Sequence, residues 1–167
     1  MRIPVQVDIG LRDAVTPAPE EVEFPTLLDF PAPHLRAYPL YTVVADKLEA
    51  TVRLGAANSR MKDFFDLWYL SRNFPFDVNP LVAALARTFA RRQMLLPAEV
   101  PAGLTAEFAT LKASQWSAFI RRNALTSPEL ALVLEAIRAF ALPPLHAAAA
   151  GTPFAGQWTF TEGWRQS

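Results

Sequence analysis

Two apolar stripes of helical period, separated by a short polar turn, constrain this chain more than any other feature. They lie in residues 42–70, TVVADKLEATVRLGAANSRMKDFFDLWYL. Val44, Leu48 and Val52 recur every four residues with Ala45 and Thr51 beside them, the pattern of a helix that buries one side. Asp46, Glu49 and Arg53 fall on its other faces, and Glu49 to Arg53 is a supporting i,i+4 pair. Gly55 and Asn58 suit a helix end and a turn. Asn58 or Ser59 can cap a second helix in which Phe64, Leu67, Trp68 and Ser71 share a side.

The charges of this stretch lie close to the helix ends that meet. Lys47 is in the first helix; Arg60, Lys62, Asp63 and Asp66 are in or at the start of the second. Asp63 and Asp66 are three apart and project from nearly one face, with Lys62 one turn before Asp66. Spacing alone makes this an ordinary solvated surface. An Asp in the first turn complements the helix dipole, and a Lys–Asp pair one turn apart contributes about 0.3–0.5 kcal/mol.

Composition sets the outer limits. A chain of 167 residues and 18.5 kDa fits one domain and can bury a sizeable core. Half of it is hydrophobic, yet no apolar run is expected to span a bilayer, so no membrane partner is expected. The N-terminus lacks the charged-then-apolar order of a signal peptide. With no cysteine, disulfides and thiolate metal sites are excluded, which suits a cytoplasmic protein. Sixteen basic and sixteen acidic residues leave no global attraction for nucleic acid, so such binding needs a local patch.

Along the chain, residues 3–9 (IPVQVDI) alternate as a strand, with Asp8 on the face opposite Ile3, Val5, Val7 and Ile9. Residues 10–19 read as a turn and residues 21–24 as a short return strand, an N-terminal antiparallel hairpin. Residues 26–39 are proline-rich and lack a period, so an ordered surface connection is expected, with an extended piece near 35–38. His34 and His146 stand apart from other ligand-type residues. Asn79-Pro80 opens a third helix reaching about Arg92, with Leu81, Leu85 and Phe89 buried and Arg87, Arg91 and Arg92 clustered near its end. That cluster either complements the helix dipole or contacts RNA phosphates. A proline-bearing link at 93–103 precedes a helix at 105–122 with Phe108, Leu111, Trp116, Phe119 and Ile120 apolar. Ser127-Pro128-Glu129 launches a long apolar helix to Pro143. The chain therefore divides into a mostly helical domain, 1–150, and an aromatic, Gly- and Pro-containing tail, 151–167, expected to pack loosely or fray.

The wording of these segments is more specific than their spacing. VVADKLEA followed by NSRMKDFFDLWYL closely resembles the nucleotidyltransferase-like AbiEii/AbiGii toxin family, whose members carry V-A-x-K-L-E-A and then R-x-K-D-F-x-D-L helices. VDIG, the run through DFPAP and the GQWTF–GW ending continue the resemblance. It implies an α+β, mostly helical fold: a short N-terminal β-hairpin followed by about five helices, like the C-terminal part of a polymerase β-type nucleotidyltransferase. It also implies a toxin of toxin–antitoxin or abortive-infection type, a phage-defence role, that moves a nucleotide from a nucleoside triphosphate to an acceptor such as tRNA, with Mg²⁺ as cofactor and a cognate antitoxin as partner. Carried over by motif, Asp8 is the metal-binding third carboxylate and Lys47 the triphosphate contact. Asp63 is the downstream catalytic or positioning carboxylate, and Arg60, Lys62 and Asp66 support substrate binding.

One departure bears on activity. The superfamily places a Gly-Ser or Gly-Gly turn and Asp-x-Asp ahead of the third carboxylate, and no Asp-x-Asp occurs in these 167 residues. The chain resembles the C-terminal portion of such a toxin, so Mg²⁺ binding is expected to be weak or absent and the chain alone to transfer no nucleotide. The alternative to a split or partial enzyme is a binding module that pairs with an antitoxin or complementary chain, or with itself through an open strand edge.

Overall fold

The computed structural model describes residues 15–26 and 28–165. Strands β1 (Glu20–Glu23) and β2 (His34–Ala37) lead into helices α1 (Leu40–Leu54) and α2 (Met61–Asn73), joined through a 3-10 turn at Gly55–Ala57. A two-residue strand, β3 (Phe76–Asp77), precedes α3 (Val78–Arg91). After a 3-10 turn at Ala102–Leu104 come α4 (Ala106–Arg122), α5 (Leu130–Ala150) and the strands β4 (Gln157–Thr159) and β5 (Gly163–Arg165). The fold is α+β and mostly helical, with five helices and small antiparallel sheets, as the sequence implies.

The strand expected at 3–9 lies outside the described residues. The return strand is present as β1, and its described partner is β2, the extended piece before α1, with Glu20 opposite Ala37 and Glu23 opposite His34. This hairpin leaves Phe24, Leu28, Phe30, Leu35 and Tyr38 exposed.

The core is built around α5, which packs against α2, α3 and α4, while α1 packs on α3. Leu130, Val133, Leu134, Ile137, Phe140, Ala141 and Leu145 of α5 are essentially inaccessible. Contrary to the expectation of no sufficiently long apolar run, α5 is long and apolar enough to cross a membrane by length and composition. Its buried residues make it the central helix of this core. It also runs seven residues past Pro143, because packing on several neighbours outweighs the two backbone hydrogen bonds that Pro143 and Pro144 remove.

Helix periodicity explains where the expected stripes shift. A four-residue repeat drifts by roughly 40° per step around a 3.6-residue helix. Val44 and Leu48 are buried, Val52 has turned to the edge, and Thr51, seven residues from Val44, lies fully inside. Glu49, expected on an outer face, is buried one turn beyond buried Ala45, with its carboxylate held by Arg53 Nε at 2.8 Å. In α2, Phe64, Leu67 and Ser71 are buried and Trp68 is half-buried. Arg60 is the α2 cap residue and has no side-chain cap bond; Asn58 Oδ1 instead accepts from Arg60 N at 2.9 Å within the turn. Helix α3 begins at Val78, ahead of Asn79-Pro80, because β3 pairs with β4 and delivers the chain directly into the helix. Leu111, expected in the apolar set of α4, is 66% exposed.

The aromatic ending does not pack loosely. Strands β3, β4 and β5 form an antiparallel sheet in which Trp158 faces Phe76 and Trp164. Trp158 is buried against Phe140, and Trp164 stacks on Phe140 with the rings within 4° of parallel.

Candidate functional site

Lys47, Asp63 and Asp66, brought together from α1 and α2, form the centre of the site. Lys47 sits between Val44 and Thr51 on the border of the buried arc of α1, so its stem is covered and its ammonium reaches the start of α2. There Nζ lies 2.9 Å from Asp63 Oδ1 and 2.7 Å from Asp66 Oδ2. Asp63 occupies the first turn of α2, where the exposed backbone N–H groups favour an anion. Its three-residue spacing from Asp66 lets both carboxylates address one cation.

Two outer cations complete the cluster. Lys62 Nζ meets the same Asp66 oxygen at 2.6 Å. Arg60 Nε lies 2.9 Å from Asp63 Oδ2, a close ion pair whose N–H is not aligned for a hydrogen bond, so that buried oxygen has no hydrogen-bond donor. The inner and outer members differ in solvent contact: the Lys47 and Asp63 side chains are 17% and 8% exposed, those of Arg60 and Lys62 56% and 73%.

Burial works against the Lys47 charge, but hydrogen bonds and Coulombic attraction from Asp63 and Asp66 outweigh it and raise its pKa above the ordinary lysine value. Lys47 is therefore a fixed cation at neutral pH. It can hold anionic groups in place; it does not accept a proton.

Arg60 and Asp63 form a wall between two clefts. The first, about 270 Å³, is lined by Lys47, Arg53, Arg60 and Arg92 together with Asp46, Glu49 and Asp63. The second, about 520 Å³, is lined by Arg60, Lys62 and Arg122 against a single carboxylate, Asp63, and also by Gln115 and Phe119. The Gln115 amide donates to Ser59 O at 3.3 Å and so fixes α4 to the turn before α2. Of the arginines clustered at the end of α3, Arg92 lines the first cleft, whereas Arg87 donates to Thr16 Oγ1 at 3.3 Å. The sequence marked that cluster without showing which member faces the site. Arg53 read only as a helix pair, and Arg122 carried no local signal.

Asp8 lies outside the described residues. Among the described residues no three or more His, Asp or Glu side chains converge to hold a metal ion. Asp63 and Asp66 are already compensated by Lys47, Arg60 and Lys62. The described cluster does not fit a resident Mg²⁺, which takes carboxylate ligands and keeps several waters.

The motifs that form this cluster fall inside a family match. The family model described as nucleotidyl transferase AbiEii toxin, type IV toxin–antitoxin system, matches residues 1–147. No curated protein and no solved structure matches the chain. On a match that takes in α1, α2 and the whole Lys47–Asp63–Asp66 cluster, the chain belongs to the nucleotidyl transferase AbiEii toxin family.

Proposed function

We propose that the Lys47 cleft is the donor side of a nucleotidyl-transfer site that holds the triphosphate of a nucleoside triphosphate. The observation that carries this is the half-buried Lys47 ammonium, fixed by Asp63 and Asp66 and flanked by Arg53, Arg60 and Arg92 in one cleft. In such a transfer an acceptor hydroxyl oxygen, on tRNA or another acceptor, forms a bond to the α-phosphorus. The bond from that phosphorus to the β-phosphate bridging oxygen breaks, the hydroxyl proton passes to a base, and pyrophosphate leaves. Lys47 supports the step by holding phosphate charge. Asp63 and Asp66 support it by holding Lys47, while exposed Arg60 and Lys62 can exchange a carboxylate contact for a phosphate one.

Mg²⁺ belongs to this proposal only through carboxylates outside the described cluster, Asp8 among them. The Gly-Ser turn and Asp-x-Asp of the superfamily are not in these 167 residues. The test is transfer of label from α-labelled nucleoside triphosphates to total tRNA, with and without a polypeptide bearing those motifs. The chain alone is expected to transfer nothing; the complemented pair should transfer, and Lys47→Ala should abolish it. A complemented pair that stays inactive on every nucleotide, or a Lys47→Ala pair that stays active, overturns the proposal.

A second reading, binding without catalysis, is favoured by the exposed Phe24, Leu28, Phe30 and Leu35 on and beside the β1–β2 hairpin. A type IV toxin–antitoxin family implies an antitoxin partner, and an apolar hairpin of this kind suits a protein contact, with an antitoxin or a second copy of the chain. Light scattering of the chain with and without antitoxin checks it.

A further inference from the structure

An aromatic stripe runs along the exposed side of α2 and ends in the wider cleft. Phe119, in the cleft wall, is 6.3 Å from Phe65 between ring centroids; Phe65 is 6.2 Å from Tyr69 with the rings only 21° from parallel; and Tyr69 is 6.5 Å from Phe74. The Phe65–Tyr69 spacing follows from α2, since residues four apart lie about 6 Å apart along a helix axis, whereas Phe119 comes from α4 and Phe74 from the residue just past α2. Phe65 and Phe119 are partly buried against the core, and the outer end of the stripe is open: Tyr69 is 47% and Phe74 39% exposed. Where the stripe meets the cleft, Arg60, Lys62 and Arg122 line it with Asp63; Arg60 pairs with Asp63 and Lys62 with Asp66, and Arg122 makes no ion pair among the described residues. In a chain of zero net charge, this local cationic excess is a feature of the patch.

We infer that this surface binds single-stranded nucleic acid, with unpaired bases stacked on Tyr69 and Phe74 and the backbone phosphates led into the cleft by Lys62 and Arg122. Aromatic faces in a row beside a cationic groove are the elements of single-strand binding, because every base has a π-face to stack and every nucleotide a phosphate to neutralise. A duplex keeps its bases stacked on each other and cannot use the stripe. An apolar protein partner would use the rings but leave Arg122 unmatched, since Arg60 and Lys62 already pair with Asp63 and Asp66. The inference rests on the donor-side reading only in assigning a role: with the donor in the Lys47 cleft, a strand end in the neighbouring cleft lies across the Arg60–Asp63 wall from it, the position of an acceptor.

The experiment is fluorescence anisotropy of an unstructured, labelled RNA oligonucleotide of about a dozen nucleotides, a length that spans one such site, titrated with the 167-residue chain. Binding is expected at low salt, with the matching duplex bound more weakly. Tyr69→Ala should weaken it roughly tenfold, as loss of one stacked base does, and leave the salt dependence unchanged. Arg122→Gln should flatten the slope of log affinity against log salt by about 0.7, one single-strand phosphate contact. Leu95→Ala, at an exposed side chain of the link after α3, should change neither. Thermal melts confirm that each variant is folded. No binding at low salt, equal binding of duplex, or a Tyr69→Ala variant that keeps full RNA affinity overturns the inference. Loss of antitoxin association in Tyr69→Ala with RNA affinity intact overturns it too, in favour of a protein face. Labelled triphosphate binding is measured in parallel: its absence beside the expected RNA pattern sinks the donor-side reading alone, and its presence beside failed RNA binding sinks this one alone.

Discussion

Trp164 donates its indole N–H to the carbonyl of Phe140 at 2.8 Å, and Phe140 is the residue whose helical donor would be the missing N–H of Pro144. The same device recurs at the other tryptophan of the hairpin. Trp158 donates to Ser71 O at 2.7 Å. The β4–β5 hairpin is thus fixed by two carbonyls without a helical donor, Ser71 O because α2 ends at Asn73 and Phe140 O because Pro144 has no N–H. An unmatched buried carbonyl is costly, which gives each indole a reason to stay in place.

Trp164→Phe is expected to destabilise the protein by about 1–2 kcal/mol, since the ring is kept and the donor lost. Pro144→Ala supplies a backbone N–H to the same carbonyl, so the two substitutions should not add. Chemical denaturation of both single variants and the double variant measures the coupling, expected at about 1 kcal/mol in favour of the double. Simple additivity would mean that the hydrogen bond does not anchor the hairpin.

The uneven legibility of the sequence follows from the range of the interactions involved. Local signals placed α1 and α2, the Lys62–Asp66 pair and the buried side of α3, because each depends on neighbours three or four residues away. The expected loose tail and the expected stop at Pro143 failed together. Indole donors on residues 158 and 164 satisfy carbonyls at 71 and 140, and periodicity carries no information about such a pairing. In the site, family wording singled out Lys47 and Asp63, and spacing alone could not show that α1 and α2 bring them to 2.9 Å. Arg92 and Arg122 join the clefts only through the packing of α3 and α4.

The two lysines of the cluster should differ sharply on replacement. Lys47→Ala leaves two largely covered carboxylates without their shared cation and should cost roughly 2–4 kcal/mol. Lys62→Ala removes a side chain that is 73% exposed and should change stability by under about 1 kcal/mol. Adding Asp63→Asn and Asp66→Asn to Lys47→Ala should recover part of the loss. Urea denaturation of the series tests this; equal effects at 47 and 62 would show that the cluster is a surface pair. Activity lost in Lys47→Ala must accordingly be read beside its melting curve.

The raised pKa of Lys47 sets a pH window. A base whose pKa is higher in the folded than in the unfolded chain contributes stability that is fully present below the unfolded value and is lost as pH rises through the folded one. Taking the ordinary lysine value of 10.5 for the unfolded chain, the stability gap between the wild type and Lys47→Met should be constant from neutral pH to that point and shrink above it. The comparison cancels tyrosines and other lysines, which titrate in both proteins. Thermal melts across that range provide the measurement, and a gap that begins to close well below pH 10.5 contradicts the assignment.

Gly103 is the point where the 3-10 turn before α4 crosses α1, and a side chain there has nowhere to go. A Cβ at that position would lie 3.0 Å from Thr51 Cγ2 and 3.2 Å from the Thr51 carbonyl oxygen. Thr51 is fully buried, one helical turn from Lys47, and its hydroxyl donates to Lys47 O at 2.9 Å. Gly103→Ala should therefore destabilise by about 1–3 kcal/mol through overpacking. Thr51→Ser removes the methyl carbon and keeps the hydroxyl, so it should recover part of the loss; the carbonyl contact prevents full recovery. The displacement also has a direction, since pushing α1 away from the turn moves Lys47 relative to Asp63. Triphosphate binding measured well below the melting temperature should weaken in Gly103→Ala and improve in the double variant. A Gly103→Ala protein that melts like the wild type would show that α1 can yield at Thr51 without cost.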